Sequence, residues 1–344
     1  MKPLISFCIP TYNRAQLVKN CIQKILEYDG NDIEVVVVNN DSPDNTEEVI
    51  ASINDKRVSY YKNNTNLGVS LNIIETIKRA KGEWIFTLSD EDHVPKSITL
   101  KLINILKMNF CKSVGVILGN LNKVYNDQHI RYNTALYRKG DQAILNVGFQ
   151  HLYLSGIIIK KAFIDNNYLE SFSVEGDGIY PHVNIYSLVC KNADALTVDT
   201  NICINGLRVN KRSFIEQPNL KSFKHPNNRL WQFKIFSHMA SQIIDNDHNI
   251  VLKTGSIYDH FLKLSTYHWE NIIRRESEYY RLKSDSSFNF EAELKRFHTG
   301  ALAHINNFIL SNKILNQIKL DFELKNYILK QRRKEFLENQ KNEI

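Results

Sequence analysis

Leu4-Ile5-Ser6-Phe7-Cys8-Ile9-Pro10-Thr11-Tyr12-Asn13-Arg14 opens the chain with six residues that read as a buried strand, followed by a polar break at Pro10 to Asn13. From Arg14 to Tyr28 the spacing of Leu17, Cys21 and Ile25 predicts a helix. Ile33 to Val38 is a second strand, β-branched and apolar on both faces, as strands of a covered parallel sheet are. Ser42-Pro43 predicts a helix start, with Ser as cap, Pro in the first turn and Glu47 and Glu48 behind. Arg57 to Lys62 reads as a third strand, and Gly68 to Ala80 as a helix closed by Gly82. Trp84 to Leu88 is a fourth strand that runs into Ser89-Asp90-Glu91-Asp92. A helix from Pro95 to about Met108 and a strand from Val114 to Leu118 follow.

This alternation predicts an α/β fold: right-handed crossovers and a mainly parallel, Rossmann-like sheet flanked by helices. Ligands of such sheets bind beyond the carboxyl ends of the strands. The polar clusters at 10–14, 39–46 and 89–92 all follow strands, so they share one rim. Beyond residue 120 the pattern is less regular. Tyr153 to Lys160 reads as a strand, Ile179 to Lys191 as a helix and Leu196 to Ile204 as a strand. From about Asn227 the spacing is helical: Trp231, Ile235, His238 and Gln242 fit one face, and Ala301, Ile305, Phe308 and Ile309 another. The polar stretch Lys211 to Asn228 marks the boundary. The chain is therefore divided into a domain at 1–215 and a basic helical C-terminal domain at 216–344.

Of 344 residues, 43% are hydrophobic and 24% charged, ordinary for a globular protein. No apolar run nears the roughly 20 residues of a membrane span, and the start of the chain shows no signal-peptide core. These features lead to the expectation of a cytoplasmic protein. Five cysteines, at 8, 21, 111, 190 and 203, form no CxxC pair, which points to reduced core thiols rather than a disulfide framework or zinc site. The net charge of +7 is uneven: residues 1–205 are net −1 and residues 206–344 net +8. A basic surface of this kind attracts anionic partners, although a solvated basic tail reads the same way.

Four segments in order resemble the family 2 (GT-A fold) glycosyltransferases. They are Ile9-Pro10-Thr11-Tyr12-Asn13-Arg14, Val38-Asn39-Asn40-Asp41-Ser42-Pro43-Asp44-Asn45-Thr46, Asn66-Leu67-Gly68 with Asn72 and Ala80-Lys81-Gly82-Glu83-Trp84-Ile85, and Asp90-Glu91-Asp92. The last resembles the family's metal-binding DxD. The resemblance covers residues 3–110 strongly and 150–215 loosely. It implies a hexosyl- or N-acetylhexosaminyl-transferase that takes a nucleotide-sugar donor, UDP-linked by expectation, and transfers the sugar with inversion.

Under that resemblance Asp90 and Asp92 offer carboxylates to Mg²⁺ or Mn²⁺. Glu91 is an alternative second ligand, because an acidic triplet leaves the register open. A solvated acidic turn before the Pro95 helix is the plain alternative. Pro10, Thr11, Tyr12 and Arg14 would line the donor site. Asn39 stands where the family usually has the Asp that reads uracil N3–H. Its Oδ1 can accept that hydrogen bond, and Asp41 is the alternative. Asn66, Gly68 and Asn72 would lie against the ribose or diphosphate. Leu71 occupies a frequent Arg position of the family, so the donor-phosphate cation is assigned to Arg208. That residue lies in Gly206-Leu207-Arg208-Val209-Asn210 with Ser213, which resembles the family's late R-x-H…S segment with Asn210 in place of His; surface charge is the alternative reading. For the general base the resemblance points to Asp177, then Glu175, in the acidic cluster Ser173-Val174-Glu175-Gly176-Asp177-Gly178; helix capping by Asp177 is the other reading.

The expected partners are a nucleotide-sugar donor and a glycan or lipid-linked saccharide acceptor. The basic C-terminal helices, with Gln331-Arg332-Arg333-Lys334, suit peripheral contact with the inner face of an anionic membrane. No nucleic-acid module is recognisable. Spacing near Leu315 to Leu329 fits either core or a homo-oligomer contact. By family analogy the setting is synthesis of capsule, lipopolysaccharide or teichoic acid. The rivals are a protein-glycan glycosyltransferase, which would share every motif, and a non-catalytic nucleotide-sugar-binding protein. A sugar-phosphate nucleotidyltransferase should show a Gly-rich loop after the first strand, and Pro10 to Arg14 has no glycine.

Overall fold

The computed structural model describes residues 2–122, 131–173 and 180–206. Strands β1 (Ile5–Thr11), β2 (Ile33–Asn39), β3 (Val58–Lys62) and β4 (Trp84–Thr87) are parallel, and β1 lies between β2 and β4. Helices α1 (Ala15–Leu26), α2 (Thr46–Ala51) and α3 (Val69–Arg79) make the crossovers, and α4 (Lys96–Leu106) follows β4. The sheet continues through β5 (Val114–Asn122), β6 (Ala135–Tyr137), β7 (Ile157–Lys160) and β8 (Asp194–Ile204) in the order β3-β2-β1-β4-β7-β5-β8-β6. The short helices α5 (Asp141–Asn146) and α6 (Asn166–Ser171) and the longer α7 (Pro181–Asn192) complete the described elements.

Alternation along β1 sorts the two layers. Ile5, Phe7 and Ile9 enter a core with Val18, Cys21, Ile22 and Ile25 of α1 and with Ile98, Leu102, Ile103 and Leu106 of α4. Helix α3 packs across β1 and β2 and also meets α7. β2 is buried at all seven positions, whereas the edge strands β3 and β6 are only partly covered, as their places in the strand order require. All five cysteines are buried and unbridged. Burial pushes their thiols up, so they are poor nucleophiles. Among the described residues no helix is long and apolar enough to cross a membrane.

The mainly parallel α/β prediction holds, with exceptions. β7 runs antiparallel to both β4 and β5, and β6 antiparallel to β8. The strand expected over Tyr153 to Lys160 is confined to Ile157–Lys160. Gly156, at φ +91°, turns the chain immediately before it, and Tyr153 and Ser155 use their hydroxyls on Asp92 instead. The helix expected to open at Ser42-Pro43 begins at Thr46. Ser42 is held back because its N–H and Oγ both donate to Asn39 Oδ1, while Asp44 Oδ1 accepts from the Thr46 N–H. The cap residue is Asn45, which makes no side-chain capping bond, and Asp44 before it takes the Thr46 N–H in place of the cap expected from Ser42.

Candidate active site

The carboxyl ends of β1, β2 and β4 lie side by side, and two left-handed residues shape the rim. Asn13 (φ +54°) and Asp41 (φ +59°) turn the chain after β1 and β2, a conformation that Asn and Asp tolerate better than most residues. The two turns are tied together: Asn13 N–H donates to Ser42 Oγ at 2.9 Å, and Ala15 N–H to Asp44 Oδ2 at 3.1 Å.

The acidic triplet follows β4 and is buried, with Asp90 at 4%, Glu91 at 7% and Asp92 at 0% exposure. Thr11 Oγ1 donates to Asp90 Oδ2 at 2.7 Å. The Arg14 guanidinium reaches Asp90 Oδ1 at 2.8 Å and Glu91 Oε2 at 3.4 Å. Burial raises the Asp90 pKa, and Arg14 and Thr11 only partly oppose it. For Arg14 the balance is reversed. Burial disfavours its charge, but Asp90 and then Glu91 hold the guanidinium protonated above its ordinary value. Asp92 is enclosed by four donors: Tyr153 Oη and Ser155 Oγ on Oδ2, at 2.8 and 2.5 Å, and Gly206 N–H and Asn205 Nδ2 on Oδ1, at 3.0 and 3.3 Å. Burial still raises its pKa against these donors, led by Ser155.

Among the described residues no group of three or more His, Cys, Asp or Glu is arranged to hold a metal ion. A hard divalent cation needs less, since Mg²⁺ commonly takes one or two carboxylates, with substrate phosphates and water completing its shell. Asp90 and Glu91, adjacent carboxylates facing the same guanidinium, fit that demand in donor type and number.

The third part of the rim is a buried amide network. Asn40 Nδ2 donates to Asn66 Oδ1 at 2.8 Å and to the Gly68 carbonyl at 3.3 Å. Asn63 Nδ2 donates to Asn40 Oδ1 and Asn72 Oδ1, and Asn72 Nδ2 to the Val38 carbonyl at 3.1 Å. Gly68, at φ +82°, sits at the N-terminus of α3, where a side chain would be strained. Asn39 is fully buried: its Oδ1 is taken by Ser42, and its Nδ2 donates to Tyr60 Oη at 3.0 Å. The Asp41 side chain, 43% exposed, stands at the rim with Lys62 Nζ 3.9 Å away.

Pro10, Thr11, Tyr12, Arg14, Asn39, Asp41, Asn66, Gly68, Asn72 and the triplet thus gather at the ends of β1, β2 and β4 and the start of α3. Glu175, Asp177 and Arg208, and the whole segment 216–344, lie outside the described residues. The sequence reading missed Asn63, Tyr153, Ser155 and Asn205. Asn63 could have been suspected as a polar residue following a strand on the same rim. The other three carry no local signal.

Residues 6–165, a little under half of the chain, match the model of glycosyl transferase family 2. An uncharacterized glycosyltransferase of Rickettsia typhi, RT0329, is 39% identical over 118 residues, which is 34% of this chain and 36% of the relative. A Campylobacter jejuni protein named GalNAc(5)-diNAcBac-PP-undecaprenol beta-1,3-glucosyltransferase is 26% identical over 171 residues, 48% of this chain and 54% of its own. The chain thus spans about a third to a half of the curated relatives it matches. Among solved structures, Staphylococcus aureus TarS 1–349 in complex with UDP-GlcNAc superimposes with a TM-score of 0.58 at 16% identity, covering 91% of this chain and 82% of that one. At that identity the likeness is one of fold.

Proposed function

We propose that the chain is an inverting glycosyltransferase that moves one sugar from a nucleotide diphosphate donor, UDP-linked, to a hydroxyl of a glycan or lipid-linked saccharide in bacterial surface-polysaccharide synthesis. The observation that carries this reading is the buried Arg14–Asp90–Glu91 group at the meeting of β1 and β4, beside the open end of β2. The donor in the TarS complex and the lipid-linked glycan in the Campylobacter relative's name support the two substrate classes.

Asp90 and Asp92, or Glu91 as the alternative second ligand, would hold Mg²⁺ or Mn²⁺. When bound, the cation supplies Lewis-acid stabilisation of charge on the departing diphosphate. Thr11 and Arg14 fix the Asp90 carboxylate from opposite oxygens, so its direction is set before the donor arrives. The Asn40–Asn63–Asn66–Asn72 network holds the turn at Gly68 against the rim, where the ribose and diphosphate would lie. Base reading passes to Asp41, whose carboxylate can accept uracil N3–H, because the Asn39 acceptor is committed to Ser42. Arg208 is assigned to the diphosphate. Asp177, or Glu175 in its place, takes the proton of the acceptor hydroxyl as that oxygen attacks C1. The bond from C1 to the diphosphate oxygen breaks on the opposite side, which inverts the configuration. The basic segment 216–344 is assigned to acceptor, anionic-membrane or oligomer contacts.

The test is hydrolysis and transfer with a panel of nucleotide sugars, with and without Mn²⁺. Release of UDP from one donor, stopped by chelator and by Asp90→Asn, is expected. A folded protein that neither binds nor turns over any nucleotide sugar defeats the reading.

A further inference from the structure

We propose that Asn63 is a specificity residue of the donor site: its side-chain carbonyl accepts a hydrogen bond from the nucleoside, either a ribose O–H or a base N–H. The inference rests on the nucleotide-donor reading above and deepens it. Backbone groups settle which way the neighbouring amides point. Asn40 Oδ1 accepts from the Leu67 N–H at 3.0 Å, and Asn40 Nδ2 donates to the Gly68 carbonyl at 3.3 Å. Asn72 Nδ2 donates to the Val38 carbonyl at 3.1 Å, so its Oδ1 points the other way. Two carbonyl oxygens therefore face Asn63, and only an NH₂ group can answer both. Asn63 Nδ2 does so, at 2.9 and 3.0 Å. The Asn63 Oδ1 is thereby turned away from the network.

That oxygen meets no donor among the described residues, although Asn63 is only 6% exposed. It is not among the fully enclosed atoms that lack a partner, so it opens outward. An acceptor on a residue this buried costs free energy when its hydrogen bond is left unmade. Its place in the fold says what arrives there. The Asn63 N–H donates to the Asn39 carbonyl at 2.9 Å, which sets the residue at the carboxyl ends of β2 and β3, where ligands of a parallel sheet bind. Asn66 and Gly68, assigned above to donor contacts, are tied to it through Asn40. Charge narrows the choice within the donor. The diphosphate offers only acceptor oxygens, which a carbonyl oxygen repels. The nucleoside carries the O–H and N–H groups that an acceptor needs.

The experiment is calorimetry in the presence of Mn²⁺, comparing wild type and Asn63→Ala for UDP, 2′-deoxy-UDP, 3′-deoxy-UDP and N3-methyl-UDP. Asn63→Ala is expected to bind UDP about three- to tenfold more weakly, the worth of one hydrogen bond. The loss should vanish for the analogue that lacks the group Asn63 reads. A deoxy analogue then identifies a ribose hydroxyl, and the N3-methyl analogue identifies the base. Equal losses for all four ligands would mean that Asn63 acts only by holding Asn40 and Asn72, and would overturn the proposal. Unchanged affinity for UDP would mean that the oxygen faces only water, and would overturn it as well. If Asn63→Ala does not fold, Asn63→Ser is read in its place, since its hydroxyl can still donate to one of the two carbonyls while the amide oxygen is gone. A folded wild type that binds none of the four nucleotides is a separate result: it defeats the functional reading, and this inference with it.

Discussion

Replacing Arg14 by Met keeps most of the side-chain bulk and removes the guanidinium. Arg14 and Asp90 are paired at 2.8 Å with side-chain exposures of 14% and 5%. Removing one partner of a buried ion pair costs about 3–5 kcal/mol, because the other charge stays buried without its counterion. The lower end, about 3 kcal/mol, applies here: Thr11 still donates to Asp90, and Arg14 stands at the rim. At about 2–4 °C per kcal/mol for a domain of this size, Tm should fall by roughly 6–12 °C. The assay is thermal unfolding of wild type and Arg14→Met at neutral pH, with and without Mn²⁺. A divalent cation restores positive charge beside the two carboxylates, so Mn²⁺ should raise Tm more in the variant than in wild type. A fall below about 2 °C would mean that the pair contributes no more than an exposed one, and would refute the picture of a buried charge group. A normal fall with no extra response to Mn²⁺ would refute the assignment of Asp90 to the cation.

Three further outcomes are expected. Gly68→Ala puts a side chain at φ +82° and should cost about 1–2 kcal/mol in chemical denaturation, with weaker UDP binding by calorimetry because the Asn40–Asn66 turn shifts with it. Asp41→Ala should raise donor KM about tenfold, the loss of one hydrogen bond to a charged group; Ser42→Ala, which touches only Asn39 and Asn13 among these groups, should leave the preference for one base unchanged. His182, buried with Nε2 near the Leu152 carbonyl, has its pKa lowered from 6.5 to about 4, chiefly by burial. The unfolded chain therefore binds this proton more readily, and stability present above pH 6.5 is lost as pH falls toward 4. The loss is about 2 kcal/mol at pH 5. His182→Gln should flatten that part of the stability profile, and an unchanged slope would show that another group carries it.

The strands and helices of the first 120 residues were legible because their signals are local. Apolar runs such as Ile33 to Val38 and the spacing of Leu17, Cys21 and Ile25 need no knowledge of distant partners. The same pattern placed Thr11, Asn39 and Asp90 on one rim, since each ends a strand of one parallel sheet. Boundaries failed where a side chain competed with the backbone. Ser42 looked like a helix cap but is held by Asn39, and Tyr153 and Ser155 looked like strand residues but serve Asp92.

The sequence by itself thus determined the alternation of the elements, the shared rim and the identity of the carboxylates on it. Only the tertiary structure decided what each carboxylate faces. Asp90 meets Arg14 and Thr11, 76 and 79 residues away, and Asp92 meets donors 61 to 114 residues away. Hydrophobic periodicity fixes which face of an element is buried. It carries no information about which polar group arrives opposite another once the sheet is assembled, and so Asp90 and Asp92, two residues apart, meet wholly different partners.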